Sequence, residues 1–363
     1  MQIKDIQCNL YRIPLAVVLS DATHGEIPDF ELITVRIRTA SGLEGVGYTY
    51  TVGAGGRAIQ TLINSDIRPI LLEADARGIE SLWQAMWHRL HWVGRGGIVV
   101  FAVSAVDVAL WDLKGRLHNE PLWRLLGGDT NRVQAYAGGV DLYHPLDQLL
   151  DQTRQHLANG FRAIKMKVGR NFLHEDVERV QAMRELIGPD VVLMVDANMQ
   201  WRVDQAIRAA RAFKEFDVLW LEEPIAPDDI VGHVRVSREG GLPIAAGENL
   251  HSVYEFQSYM SHGCLDFPEP DLSNMGGVTA WLQVAKMAQA HILPITSHGV
   301  HDLHVHLLAA AANGNYLEVH GFSLDRFIAH PLRIEDGDAV APDRPGHGVE
   351  FDWQALADLE VGQ

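Results

Sequence analysis

Between residues 133 and 320, short apolar stretches of strand character are separated by longer stretches of helical period. The strands read as VQAYAG (133–138), AIKMKV (163–168), VVLMVDA (191–197), VLWLEEP (218–224), LPIAAGE (242–248), CLDFPEPD (264–271), ILPITSH (292–298) and NYLEVH (315–320). Helical segments such as VDQAIRAARAFKEF and GGVTAWLQVAKMAQAH lie between them. Parallel strands need crossovers of this kind, and eight of them at roughly 20–30 residues per unit predict a TIM barrel. A doubly wound open sheet is the alternative, but no GxGxxG follows the first strand.

The first third has a different texture. FELITVRIRT alternates apolar and polar positions, SGLEGVG supplies a turn and YTYTV follows, as in antiparallel strands. From about residue 58 the period becomes helical through AIQTLINSDIRPILLEA and IESLWQAMWHRLHWV, then the segment from Gly97. The fold class expected is α/β: a modified TIM barrel over 126–325 with an N-terminal α+β unit over 1–125. Residues 326–363, rich in Pro, Gly and Asp, are expected to fold back onto that unit.

The formal charge of −17 argues against a nucleic-acid partner, because phosphate neutralisation needs clustered Lys and Arg. The segment GIVVFAVSAVDVALWDLKG is interrupted by Ser104, Asp107 and Asp112, which predicts a buried helix rather than a membrane span. Cys8 and Cys264 have no ligand or disulfide spacing, and the N-terminus lacks a continuous apolar signal. A cytoplasmic location fits both.

Each strand from the second to the eighth carries ionisable or polar residues near its C-terminal end: Lys165 and Lys167, Asp196 and Asn198, Glu222 and Glu223, Glu248 and Asn249, Asp271, His298, and Glu318. One acid after a strand is ordinarily a helix N-cap. In a barrel, however, these ends converge on one mouth. Asp196, Glu222 and Glu248 would repel one another unless a cation sits among them, and an all-carboxylate set favours Mg²⁺, with Mn²⁺ also suitable. Glu223 faces the opposite side of its strand and is left out of this shell. Lys165 and Lys167 point the same way, and a lysine crowded by cations and partly desolvated holds its proton less tightly, so it can act as a base. An Asp271–His298 pair would supply a second acid/base group, and a protonated Glu318 could donate to an oxyanion. The set suits proton abstraction beside a carboxylate, with electrostatic stabilisation of the enediolate contributing more than the base itself.

The motifs KMK, VDAN, LEEP, GEN, PDLSNMGG, the Ser297–His298 pair and YLE make the chain resemble the enolase superfamily along nearly its whole length, within it the mandelate racemase subgroup. IPLAVVLSDATHG, GLEGVGYTYTVGAGG and AVDVALWDLKG are similar to that family's capping domain. The resemblance implies a (β/α)₇β barrel with Mg²⁺ on Asp196, Glu222 and Glu248. It also implies Lys165 on the substrate carboxylate, Lys167 and His298–Asp271 as acid/bases, Glu318 as electrophilic acid, and a symmetric homo-oligomer. Asp271 stands where muconate cycloisomerases and dipeptide epimerases carry a lysine, which argues against those subgroups.

Subgroup members dehydrate acid sugars or racemise 2-hydroxy acids. The loops SDATHGEIPD and YTYTVGAGGR offer Ser20, Asp21, Thr23, His24, Tyr48, Tyr50 and Arg57, a polar set suited to a polyhydroxylated carboxylate substrate, and they resemble those of talarate/galactarate dehydratases. Plain solvation of exposed loops is the competing reading for each residue. The expected activity is therefore acid-sugar dehydration to a 2-keto-3-deoxy acid. The alternatives are an epimerase on the same two-base site and a catalytically silent binding protein. Either His298 or Lys167 could serve as leaving-group acid. His301 could reach the pocket rim, whereas His301, His304 and His306 together would be scattered by their helix rather than gathered on a metal. Trp83, Trp87 and Trp92 have the spacing of one buried helical stripe.

Overall fold

The computed structural model describes residues 1–320, 322 and 324–362. Three long antiparallel strands, β1 (Ile3–Asp21), β2 (Gly25–Thr39) and β3 (Glu44–Thr51), form the N-terminal sheet. The helix Ile98–His118 lies across it. Gly45 and Gly47 make that contact possible, because a Cβ on Gly47 would lie 2.1 Å from the Ala105 carbonyl oxygen. The helix Ile79–Leu90 packs on the same long helix and buries Trp83, whose indole N–H donates to the Gly276 carbonyl. Trp87 stacks on Trp83, but Trp92 falls past the helix end and is 90% exposed, so the tryptophan stripe ends before it.

The barrel follows. Its strands are β4 (Arg132–Gly138), β5 (Ala163–Lys167), β6 (Val192–Asp196), β7 (Val218–Glu222), β8 (Ile244–Ala246), β9 (Phe267–Pro268) and β10 (Leu317–His320). Neighbours pair in parallel from β4 to β9, and β10 closes against β4. The expected seventh strand, 292–298, has no regular ladder. Ile292 is left-handed at φ 59° in a turn, and the chain beyond it is held by the Thr296 N–H on the Pro268 carbonyl and by paired bonds between Ile295 and residues 313–315. Pro294, which has no N–H, interrupts the ladder there. Seven helices separate the eight strand positions, giving the (β/α)₇β order.

Side-chain alternation builds the barrel interior in layers. Tyr136, Ala163, Met194, Trp220 and Ala245 form a separate apolar plug within the barrel, with Phe267 and Tyr316 against it. Two residues further along the strands, on the same face, come Lys165, Asp196, Glu222, Glu269 and Glu318. The plug thus sets the floor of the mouth. The helices outside are apolar on their inner faces; Ala206, Ile207, Ala209, Ala210 and Phe213 of Val203–Phe213 are all buried.

The C-terminal segment divides its contacts. The hairpin β11 (Arg333–Glu335) and β12 (Asp338–Val340) adds to the barrel through β4. Residues 351–361 return to the N-terminal sheet, where the Val361 N–H donates to Leu10 and the Arg12 N–H to Leu359. No helix among the described residues is long and apolar enough to cross a membrane.

Candidate active site

Above the apolar plug, acids and amines from successive strands meet. Oxygens of Asp196, Glu222 and Glu248 lie within 4.8 Å of one another. Asp196 and Glu222 are buried, and the Trp220 indole N–H fixes Glu222 Oε2 from 3.1 Å. Glu248 Oε2 is buried and faces His298 Nε2 at 3.0 Å. Burial, reinforced by Asp196, pushes the Glu222 carboxyl well above its ordinary range. Three hard oxygen donors held together against their own repulsion fit a Mg²⁺ ion. Glu223, left-handed at φ 38°, turns its carboxylate to the Gly247 N–H, and burial beside Glu248 raises it to about 8.

Lys165 Nζ lies 2.5 Å from Glu222 and 2.7 Å from Glu318, while Lys167 Nζ bonds Asp196. The expectation of weakened ammonium groups is not met by the protein groups alone. Burial disfavours the Lys165 charge, but Glu222 and Glu318 outweigh it and raise the pKa well above normal. For Lys167, burial is likewise outweighed by Asp196. A dication on the carboxylates would neutralise the groups that hold these protons, which is the remaining physical route to a basic amine. Glu318 differs from its expected neutral form for the same reason. Burial opposes its charge, yet Lys165 and His298 hold it well below the usual carboxylate range. Its Oε2 accepts from the Gly299 N–H at 3.1 Å.

On the other side stands His298. Its Nδ1 is 3.1 Å from Asp271 Oδ2 and its Nε2 is 3.0 Å from Glu248. Asp271 is oriented by the Ser273 N–H at 2.8 Å and by the Tyr50 hydroxyl at 3.2 Å. Despite burial, Glu248 and Asp271 hold the imidazole pKa well above its ordinary value. Asn198 is buried and left-handed at φ 40°. Its N–H donates to Asp196 and its amide to Glu248 at 3.3 Å, so it braces two carboxylates together.

The N-terminal unit roofs the mouth. Residues 20–29, expected as a loop, are the tip of the β1–β2 hairpin, and Thr23 donates its hydroxyl to the Asn198 carbonyl. A cavity of about 400 Å³ lies between roof and barrel, lined by His24, Tyr50, Glu248, Asn249, His251 and His298 among others. Tyr48 stays out of it: its hydroxyl is buried without a partner, and its ring packs edge-on against Phe351. Arg57 is turned away, donating to Gln60 at 3.3 Å and to the Gly362 carbonyl, because the helix Gly56–Leu62 carries it to the outer edge. His301 lies behind Tyr50, 3.7 Å from both Asp302 and Asp325, and His320 sits beside its ring. His304 bonds Gly299 and Leu272, and His306 bonds Trp123 and His347, so neither joins it.

Sequence reasoning passed over Asp141, which follows the first barrel strand and accepts from the Lys167 N–H at 3.1 Å. Its signal was the same acid-after-strand pattern found on the other strands. Glu269, buried beside Thr296, lies two residues before Asp271 in CLDFPEPD, where only Asp271 is singled out from the sequence.

Comparison with known proteins bears on this geometry. Residues 13–127 match the mandelate racemase/muconate lactonizing enzyme N-terminal domain, and residues 148–355 match the enolase C-terminal domain-like family. The chain is 54% identical over 360 residues to a 3,6-anhydro-alpha-L-galactonate cycloisomerase of Streptomyces coelicolor, covering 99% of this chain and 100% of that protein. It is 35% identical over 360 residues to an L-talarate/galactarate dehydratase of Salmonella typhimurium, covering 98% and 90%. A crystal structure of a racemase from Streptomyces coelicolor A3(2) with bound magnesium superposes with a TM-score of 0.97 at 54% identity, covering 99% of this chain and 100% of that one.

Proposed function

The chain belongs to the mandelate racemase/muconate lactonizing enzyme family of the enolase superfamily, with Mg²⁺ as its cofactor, and from that premise we propose that it opens the ring of a 3,6-anhydro sugar acid by β-elimination. Asp196, Glu222 and Glu248 would hold the ion. When bound, Mg²⁺ supplies positive charge at the substrate carboxylate. Lys165 neutralises the same carboxylate. Lys167 and the His298–Asp271 pair flank the carbon next to it, and one of them takes its proton. The electron pair then expels the oxygen on the following carbon. In an anhydro ring that oxygen stays attached at C6, so the 2-keto-3-deoxy product has the mass of the substrate. With a free hydroxyl the same step loses water. Lyase and isomerase outcomes thus differ only in what the leaving oxygen is tied to.

The observation that favours a monoacid is the far wall of the cavity. Val52, Ala54, Ile59, Ile98 and Phe101 line it, and no Lys or Arg does so among the described residues. A diacid would place its second carboxylate against that apolar wall, where an unpaired charge is disfavoured. Dehydration of an aldonate is the second reading, supported by His24, Asn249 and Asn274 in the same cavity. On either reading, residues 1–125 completed by 326–363 select the substrate, and residues 126–325 supply the metal ligands and the groups that act at the carbon next to the carboxylate.

The test is incubation of the Mg²⁺-loaded enzyme with 3,6-anhydro-L-galactonate and, in parallel, panels of aldonates and aldarates. Products are read by mass spectrometry and semicarbazide. The expected result is a 2-keto acid of unchanged mass. Water loss from an aldonate with the anhydro acid untouched would install the second reading. Deuterium uptake at C2 from D₂O without any keto acid would replace both with an epimerase.

A further inference from the structure

The elimination needs a proton on the departing oxygen as well as a base at carbon. Both barrel acid/bases are tethered to the carboxylate trio, Lys167 through Asp196 and His298 Nε2 through Glu248 at 3.0 Å. They are therefore held beside the first two carbons of the substrate. On this reading the leaving oxygen would lie one carbon further along, on the side of the roof.

The roof presents a second aspartate–histidine pair. Asp21 is 7% exposed, and its Oδ1 is occupied by the backbone N–H groups of Thr23 at 2.8 Å and His24 at 2.6 Å. That leaves Oδ2 to meet His24 Nδ1 at 2.8 Å. The turn between β1 and β2 thus fixes one nitrogen of the ring against a carboxylate. The other nitrogen makes no hydrogen bond to the described residues, and His24 lines the same cavity as Glu248 and His298. The hydrogen bond to Asp21 raises the imidazole above its ordinary pKa, though burial works against it. The side chain is 43% exposed, so solvent can return a proton after each turnover.

We infer that His24, oriented by Asp21, is the general acid that protonates the leaving oxygen, while Lys167 and His298 manage the proton at carbon. This rests on the β-elimination reading and deepens it. The balance is closed. The C2–H bond breaks to the base, the carbon–carbon double bond forms as the C3–O bond breaks, and the oxygen takes the Nε2 proton of His24. The enol then gains a proton at C3 as it becomes the ketone. The role differs from the sequence-based choice between His298 and Lys167.

The experiment uses the full-length Mg²⁺-loaded enzyme, with His24→Asn, His24→Gln and Asp21→Asn variants whose melting temperatures match the parent. Elimination is followed by keto-acid formation, and proton abstraction by deuterium appearing at C2 of recovered substrate in D₂O. The expected result is a fall of ~10²-fold or more in elimination for His24→Asn, with exchange at C2 persisting. Asp21→Asn is expected to lower kcat with little change in KM. Equal loss of exchange and elimination, or elimination at the parent rate, would overturn the assignment. A parent enzyme that acts on no sugar acid would instead defeat the reading beneath it.

Discussion

Individual residues in this site are placed by what their neighbours leave out. Gly138, at the end of β4, lies where a Cβ would stand 2.6 Å from Glu318 Oε1 and 3.0 Å from its Cγ. Gly138→Ala is therefore predicted to push the Glu318 carboxylate away from Lys165. A displacement of about 1 Å at a reacting centre lowers rates by ~10²-fold, so kcat should fall by that order in steady-state assays, and an unchanged kcat would remove Glu318 from the chemistry. At this scale the sequence was informative about identity and weak about charge state. The alternating period of AIKMKV places both lysines inward, and the acids after β6, β7 and β8 converge as expected. The protonation of Lys167 and Glu318 was not legible, because it depends on distances to Asp196 and Lys165 that no spacing encodes.

At the level of elements, the contact between β3 and the helix Ile98–His118 has no room for side chains on the strand face. Gly47→Ala would set a methyl 2.1 Å from the Ala105 carbonyl oxygen and 2.4 Å from the Ala109 nitrogen, both backbone atoms of a buried helix. Overpacking of this kind is destabilising by about 1–3 kcal/mol, more where backbone must move, and urea denaturation should show a lower midpoint with little change in slope. Strands and helices of the barrel were readable from period alone because each is apolar on a fixed face. Two features were not. Residues 292–298 have a strand's composition but lack the ladder, since Pro294 has no N–H to give. The SDATHGEIPD stretch has a loop's composition, with His24 facing the cavity and Asp21 holding it, whereas its backbone continues a hairpin. Arg57 was misjudged for a related reason: a residue beside the mouth in sequence can be carried elsewhere by the first turn of a helix.

For the molecule as a whole, buried neutral histidines tie stability to pH. His306 accepts the Trp123 N–H at Nδ1 and donates to the His347 carbonyl from Nε2, and burial lowers it to about 3. The unfolded chain binds that proton near pH 6.5, so below this the unfolded state holds more protons and stability falls with falling pH. The slope is about 1.4 kcal/mol per pH unit for each such group, or roughly 2 kcal/mol between pH 6.5 and 5. Denaturant titrations at pH 7 and 5 should show this loss, and His306→Gln should flatten the dependence; an unchanged slope would mean the ring is already charged in the folded protein. The roof that carries His24 and the floor that carries the carboxylates come from distant stretches of chain, joined at the rim by Thr23 and Asn198. Drift in the hairpin tip outside Asp21 and His24 can therefore alter the diet of a descendant enzyme while the inherited carboxylates and amines beneath it go untouched, so new nutrients come within reach by small edits to one ribbon.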